Sequence, residues 1–487
     1  MNTTPTFFWH DYETSGADKQ RDRPLQFAGI RTTLDLIPVG DPVMIYCKVA
    51  PETLPHPTAS LITGLTPQEC MEKGMPEADF ARAVVKHLGQ PGTCGVGYNS
   101  IRFDDEITRN LLYRNFHDPY EREWRNGNSR WDLIDLVRLC YALRPDGIEW
   151  PKREDGGPSF RLEDMAKANN LKQERAHDAL SDVEASIQLA QLIRSKQPAL
   201  FDYYFKLRRK DEVMALVNMA KKTPLIHVSS FYPAERACTT AIIPLAFHPT
   251  QSNSFIAYDL MADPQALIDL DLDELTKRVF QANDPENPSP RLPLMTIAAN
   301  KSPALVPPAG LKSVDTARIG LDLDLCRKNH ALLMAAGPGL FGKVQKVFGN
   351  PPKRTEGDPE TSLYGGFPSN ADKSLMEQVR RASPQALASQ SFVFQSDNLN
   401  ELLFRYRARN WPETLNEDER RRWDAHRRER LLGEHPASSL NLDGYRASLA
   451  ELRQKPEHQG REALFDALDA WGDAVGAEFA TAARPKP

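Results

Sequence analysis

The stretch Phe8-Trp9-His10-Asp11-Tyr12-Glu13-Thr14 decides how this chain is read. Aromatic and β-branched residues mark Thr6–Tyr12 as a strand. Side chains two apart on a strand share a face, so Asp11 and Glu13 project together at its end. Two such carboxylates repel unless something cationic lies between them. Taken alone, the pair reads equally well as a solvated strand end or as a binding site.

Leu25–Leu34 and Val43–Val49 are two more strand-like runs set off by turn formers, which predicts an antiparallel meander. Glu77–Leu88 carries Phe80, Val84, Val85 and Leu88 at helical spacing. A short strand at Thr93–Tyr98 follows, then helices at Asp104–Arg114, Trp131–Leu143, Leu162–Asn169 and Asp178–Ser195. A meander followed by alternating strand and helix predicts an α/β architecture: a mixed α+β sheet with helices packed on it.

Two further acidic elements lie on this frame. The run Tyr98-Asn99-Ser100-Ile101-Arg102-Phe103-Asp104-Asp105-Glu106 puts Asp104 where a helix starts, and an Asp there can simply cap it. In His177-Asp178-Ala179-Leu180-Ser181-Asp182, residues five apart would lie about 140° apart around a helix axis. That assigns His177 to the approach loop and Asp182 to the first turn. A histidine before a helix is commonly structural; it is also the group that titrates near neutrality, as a general base must.

Asp-x-Glu on a first strand, Asn-x-x-x-Phe-Asp about 90 residues later and His-x-Ala-x-x-Asp at a helix head together resemble the DEDD exonuclease superfamily, in its histidine-containing branch. Asn128-Ser129-Arg130-Trp131-Asp132-Leu133, Pro158-Ser159-Phe160-Arg161-Leu162-Glu163, Ser362-Leu363-Tyr364-Gly365-Gly366-Phe367 and Leu403-Phe404-Arg405-Tyr406-Arg407-Ala408-Arg409-Asn410 are similar to the bacterial exodeoxyribonuclease I family. That resemblance covers nearly the whole chain. It implies a ribonuclease H-like exonuclease domain over residues 1–197, a small SH3-like β-barrel domain over 198–350 and a C-terminal α-helical domain over 355–487. It also implies Mg²⁺-dependent 3′→5′ degradation of single-stranded DNA, processively to 5′-mononucleotides, in DNA repair and recombination. By the same resemblance Asp11, Glu13 and Asp182 hold one Mg²⁺ and Asp11 bridges to a second, which Asp104 supports; Mn²⁺ is a possible substitute. His177 would take the proton from the attacking water. Glu13, Thr14, Phe103 and Arg161 are expected at the substrate, with Trp131 and Phe160 readable either as base-stacking residues or as core. The implied partner besides DNA is the acidic tail of single-stranded DNA-binding protein, and a monomer is expected.

The chemistry favours this donor set. Phosphodiester hydrolysis needs an in-line water, charge stabilisation at the phosphate and help for the leaving oxygen, which two metal ions about 3.5–4 Å apart supply. Hard cations prefer oxygen, which explains carboxylates in place of Cys and His. A net charge of −5 over 487 residues excludes a wholly basic nucleic-acid binder. The middle segment, 198–354, is nevertheless basic at +4, against −5 before it and −4 after it. Lys206–Lys210 and Lys221–Lys222 are its strongest basic runs and could line a strand channel or face solvent. The nine arginines between Arg405 and Arg430 face six acidic residues, which suggests intrahelical pairing.

Strands are expected at Pro224–Ser230, Thr239–Phe247 and Ser254–Leu260, a Pro-rich loop at 282–293, a linker at 350–360 and helices beyond it. Six scattered cysteines without Cys-x-x-Cys, no secretory signal and no apolar run near the ~20 residues of a bilayer span predict a cytoplasmic protein without a membrane segment. Gly337–Lys343 imitates a phosphate-binding loop. Val344 stands where a Ser or Thr is needed, and a helical pattern precedes it, so it is set aside. An RNA-trimming exonuclease and a non-catalytic adaptor are the alternatives; loss of a carboxylate would favour the adaptor, and none is missing.

Overall fold

The computed structural model describes residues 4–173, 178–282, 284, 289–351 and 357–481. His177 and parts of the 282–293 loop and the 350–360 linker lie outside the described residues. The chain forms two compact units: residues 1–128 with 174–184 and 355–487, and residues 129–173 with 185–354.

In the first unit, β1 (Thr6–Thr14) is flanked by β2 (Pro24–Thr33), which is antiparallel to it, and β3 (Val43–Tyr46) is antiparallel to β2. This is the expected meander. β3 stops short of Val49: Cys47 N still donates to Leu25 O at 2.8 Å, but Lys48 N turns to Met75 O at 3.0 Å. α1 (Pro57–Thr63) and α2 (Pro67–Lys73) are seven residues each, too short for a helical period to register in the sequence. α3 (Glu77–Leu88), β4 (Thr93–Gly97) and α4 (Asp104–Arg114) follow, with β4 parallel to β1.

Phe8 and Tyr12 of β1 and Phe27 of β2 pack with Phe80, Val84 and Leu88 of α3 and Ile107 and Leu111 of α4. Each such burial contributes roughly 1.5–3 kcal/mol. A one-residue slip of β1 would forfeit that set, so the register is fixed and Asp11 and Glu13 take the opposite face.

In the second unit, β5 (Ser129–Asp132) precedes α5 (Leu133–Leu143). The helix expected from Trp131 thus starts at Leu133, because Asp132 is its N-cap, accepting from Ile134 N at 3.2 Å. α6 (Leu162–Ala168), α7 (Ala179–Lys196), α8 (Pro198–Lys206) and α9 (Lys210–Leu216) come next; α7 up to Glu184 counts with the first unit. β6 (Leu225–Val228), β7 (Thr239–Phe247), β8 (Ser254–Asp259), β9 (Leu294–Ala298) and β10 (Ala304–Val306) form one antiparallel sheet in the order β10-β6-β7-β8-β9. Pro244, which has no N–H to donate, sits at a register shift in β7. α10 (Gln265–Asp269), α11 (Leu272–Phe280), α12 (Leu323–Ala335) and α13 (Gly337–Gly349) complete the unit.

The C-terminal segment is helical, as expected: α14 (Asn370–Arg381), α15 (Pro384–Ser389), α16 (Asp397–Asn410), α17 (Glu417–Leu432), α18 (Leu442–Arg453) and α19 (Glu462–Thr481). It belongs to the first unit, fastened there by a buried ionic cluster. Arg23 donates to Glu77 at 2.6 Å, Glu52 at 2.8 Å and Glu360 at 2.9 Å. Arg409 pairs with Glu52 at 2.6 Å and with Glu360, and Arg430 with Glu360 at 2.7 Å. Intrahelical pairing therefore explains only part of the Arg405–Arg430 run: Arg405 meets Glu401 within α16, whereas Arg409 and Arg430 are buried against carboxylates far away in sequence.

Candidate active site

β1 carries Asp11 and Glu13 to the end of the first sheet, where its register with β2 shifts between Glu13 and Thr14. Irregularities of this kind re-aim side chains at strand ends. The first turn of α7 supplies Asp182, whose N–H donates to Asp178 O at 3.0 Å. One ligand oxygen from each of Asp11, Glu13 and Asp182 lies within 4.8 Å of the others. Asp104 opens α4, is 2% exposed, and accepts from Tyr12 N at 3.1 Å through Oδ1. Tyr12 thus links strand to helix. Thr108 Oγ1 lies 3.0 Å from the Tyr12 hydroxyl and 2.8 Å from Asp104 O.

The electrostatics tie the four carboxylates together. Burial, then the charges of Asp104, Glu13 and Asp182, hold Asp11 well above the usual carboxylate range. Burial and then Asp182, Asp104 and Asp178 push Glu13 up to about 9. Such crowding is what a divalent cation relieves. The donors are all carboxylate oxygens, which fit Mg²⁺ or Mn²⁺ and not a soft-ligand metal.

The expected substrate residues fall in different surroundings. Thr14, 8% exposed, donates through Oγ1 to Gly16 O at 2.7 Å. Phe103 immediately precedes α4 and packs, partly buried, against the Phe8–Phe27 core. Arg161 belongs to the second unit, at the N-cap of α6, with an exposed side chain paired to Glu163. Trp131 is fully buried among Phe201, Tyr204 and Phe205, and Phe160 lies edge-on to Tyr141; both are core residues rather than open stacking surfaces. His177 lies outside the described residues.

Of the basic runs, Arg208 lies over Phe205 at 3.6 Å and Arg209 pairs with Asp211 at 2.8 Å. Lys222 is buried and donates to Leu245 O at 2.7 Å, which removes it from any charged channel wall. The phosphate-loop imitation is helical: α12 precedes it, and Lys343 donates to Ile268 O and Leu270 O at 2.9 and 2.7 Å.

Three participants escape the sequence reading: Asp178, whose charge reaches Glu13; Tyr12, which holds Asp104; and Arg122, which meets Asp105 at 2.5 Å beside it. Asp178 had a readable signal. It accepts from Ser181 N at 3.2 Å, as a capping Asp would. Tyr12 holds Asp104 through its backbone N–H, which no residue type advertises.

Known proteins share this fold. The family model described as Exonuclease matches residues 8–190, that of the Exonuclease I SH3-like domain 208–350 and that of the Exonuclease I C-terminal domain 357–475. Exodeoxyribonuclease I of Escherichia coli (strain K12) is 42% identical over 472 residues, 96% of this chain and 98% of its own. The crystal structure of E. coli Exonuclease I in complex with a dA16 oligonucleotide aligns with a TM-score of 0.91 at 41% identity, covering 97% of this chain and 100% of that one. A crystal structure of SSB/Exonuclease I in complex with an inhibitor gives 0.90 at 40% identity, again over 97% and 100%. Likeness of this depth across all three segments, on a fold that gathers the same carboxylates its sequence announces, means that the chain belongs to the exodeoxyribonuclease I family.

Proposed function

We propose that the chain is a Mg²⁺-dependent 3′→5′ exonuclease that removes 5′-mononucleotides processively from single-stranded DNA, in DNA repair and recombination. The observation that carries this reading is the convergence of Asp11, Glu13 and Asp182 within 4.8 Å, with Asp104 in the same electrostatic cluster. In this reading Asp11, Glu13 and Asp182 hold one ion, and Asp11 and Asp104 hold the second. Bound there, the ions supply the positive charge that stabilises the phosphate in the transition state.

The chain's own residues do the rest. Glu13 and the backbone around Thr14 orient the terminal nucleotide, Phe103 borders it and Arg161 contacts a phosphate. His177 accepts the proton of the attacking water and holds it while the 3′ oxygen leaves. The crowding that raises Asp11 and Glu13 would be relieved by divalent cations held among these carboxylates.

Residues 1–197, 198–350 and 355–487 act as exonuclease, SH3-like and helical domains of a cytoplasmic monomer. The acidic tail of single-stranded DNA-binding protein is the proposed protein partner. The reading is tested by degradation time courses on end-labelled single- and double-stranded DNA and on matched RNA, with Mg²⁺ and with EDTA. Loss of nucleotides from 3′ ends of single-stranded DNA, only with Mg²⁺, is expected. Intact single strands, or equal rates on RNA, would overturn it.

A further inference from the structure

We infer that Tyr364, from the C-terminal segment, is a positioning residue for Asp104 and hence for the second metal ion. The inference rests on the reading of Asp104 as a ligand of that ion. α4 opens with Asp104, so any tilt or slide of this helix moves that carboxylate directly. Tyr12 fixes the helix from the β1 side. On the exposed side its first turn is held by a residue more than 250 positions away: the Tyr364 hydroxyl donates to Glu106 Oε2.

The contact is part of a built network. Arg109, one turn further along α4, donates to Glu106 at 2.7 Å and to the Tyr364 hydroxyl at 3.2 Å. The same guanidinium meets both oxygens of Glu123 at 2.7 and 2.9 Å and lies over the Tyr120 ring at 5.1 Å. Bidentate pairing of this sort fixes orientation as well as distance. Beside Tyr364, Leu363 is buried in a core with Tyr113, at the far end of α4, and with Phe116 just beyond it. The C-terminal segment therefore grips α4 at both ends, by apolar packing at one and by the Tyr364–Glu106–Arg109 network at the other.

Partners that hydrogen-bond a metal ligand directly are typically worth about 10–100-fold in metal affinity, and a contact one step removed is worth less.

The test is Mn²⁺ binding to full-length Tyr364→Phe without DNA, followed by EPR, beside wild type and Asp104→Asn, together with the Mg²⁺ half-saturation of cleavage. Tyr364→Phe keeps the ring and removes only the hydroxyl. The weaker of two Mn²⁺ sites should loosen roughly three- to tenfold, the size of one lost hydrogen bond, with the tighter site and single-stranded DNA affinity unchanged. Glu106→Gln should shift the same site in the same direction. Wild-type Mn²⁺ binding in Tyr364→Phe, with a weakened site in Asp104→Asn, overturns the positioning role alone; a lowered melting temperature without a metal effect has the same meaning. Unchanged binding in Asp104→Asn removes Asp104 as a ligand, and the inference falls with it.

Discussion

Asp11 and Glu13 are costly where they stand. They are carried on one strand face, desolvated, and pressed by Asp182 and Asp104. No arrangement for stability alone would gather these charges, which is why the cluster reads as a site and not as a cap or a solvated edge. Asp178 extends the argument to its neighbour in sequence. Its charge acts on Glu13, so the chain reaches the cluster one residue after His177. If His177 is the base, His177→Ala should slow single-turnover cleavage by about 10²–10⁴-fold. It should also remove the limb of the pH–rate profile near the ordinary histidine pKa of about 6.5. An unchanged rate and profile would make it structural.

Among the elements, those with a clear period or a strong alternation could be read directly. Glu77–Leu88, Asp104–Arg114, Thr239–Phe247 and Glu417–Leu432 have the bounds that their patterns predict. The carboxylate set was legible for a different reason: its order and spacing resemble those of the DEDD exonuclease superfamily, a likeness visible in the sequence alone. What could not be read is what depends on distant partners. Trp131 reads as a possible stacking residue until Phe201 and Phe205 close over it. Lys222 looks like a surface cation until its ammonium is found on Leu245 O. The short helices α1 and α2 hold too few turns to show a period. The role of Tyr364 is invisible in sequence, since no local pattern connects it to Glu106.

At the scale of the whole molecule, the C-terminal segment is bound into the first unit by charge rather than only by apolar packing. Glu360 is 2% exposed and faces Arg23, Arg409 and Arg430. Burial alone would raise its carboxyl, but the facing arginines hold it well below the ordinary range; Arg23 and Arg409 also lower Glu77, with Arg114, and Glu52, with Arg430. Removing one member of such a cluster strands the others, at about 3–5 kcal/mol. Glu360→Gln should therefore lower the urea midpoint sharply at pH 7. Carboxylates depressed in the folded state stabilise fully above their unfolded values near 4.3, and that contribution is lost as pH falls from there toward the folded values. The gap between wild type and Glu360→Gln should accordingly narrow below about pH 4, because protonation neutralises what the substitution has already removed. A gap constant from pH 7 to pH 3 would refute that account.

If the carboxylates brought together by β1, α4 and α7 form a metal-dependent cutting site for single-stranded DNA, Asp11 is indispensable to cleavage. The most direct measurement is Asp11→Asn beside wild type, with cleavage of end-labelled single strands and DNA binding by anisotropy recorded in the same Mg²⁺ buffer. A loss of cleavage of roughly 10³-fold or more is expected, the scale of several kcal/mol that metal ions supply, with DNA affinity nearly unchanged. Cleavage by Asp11→Asn at the wild-type rate would contradict it.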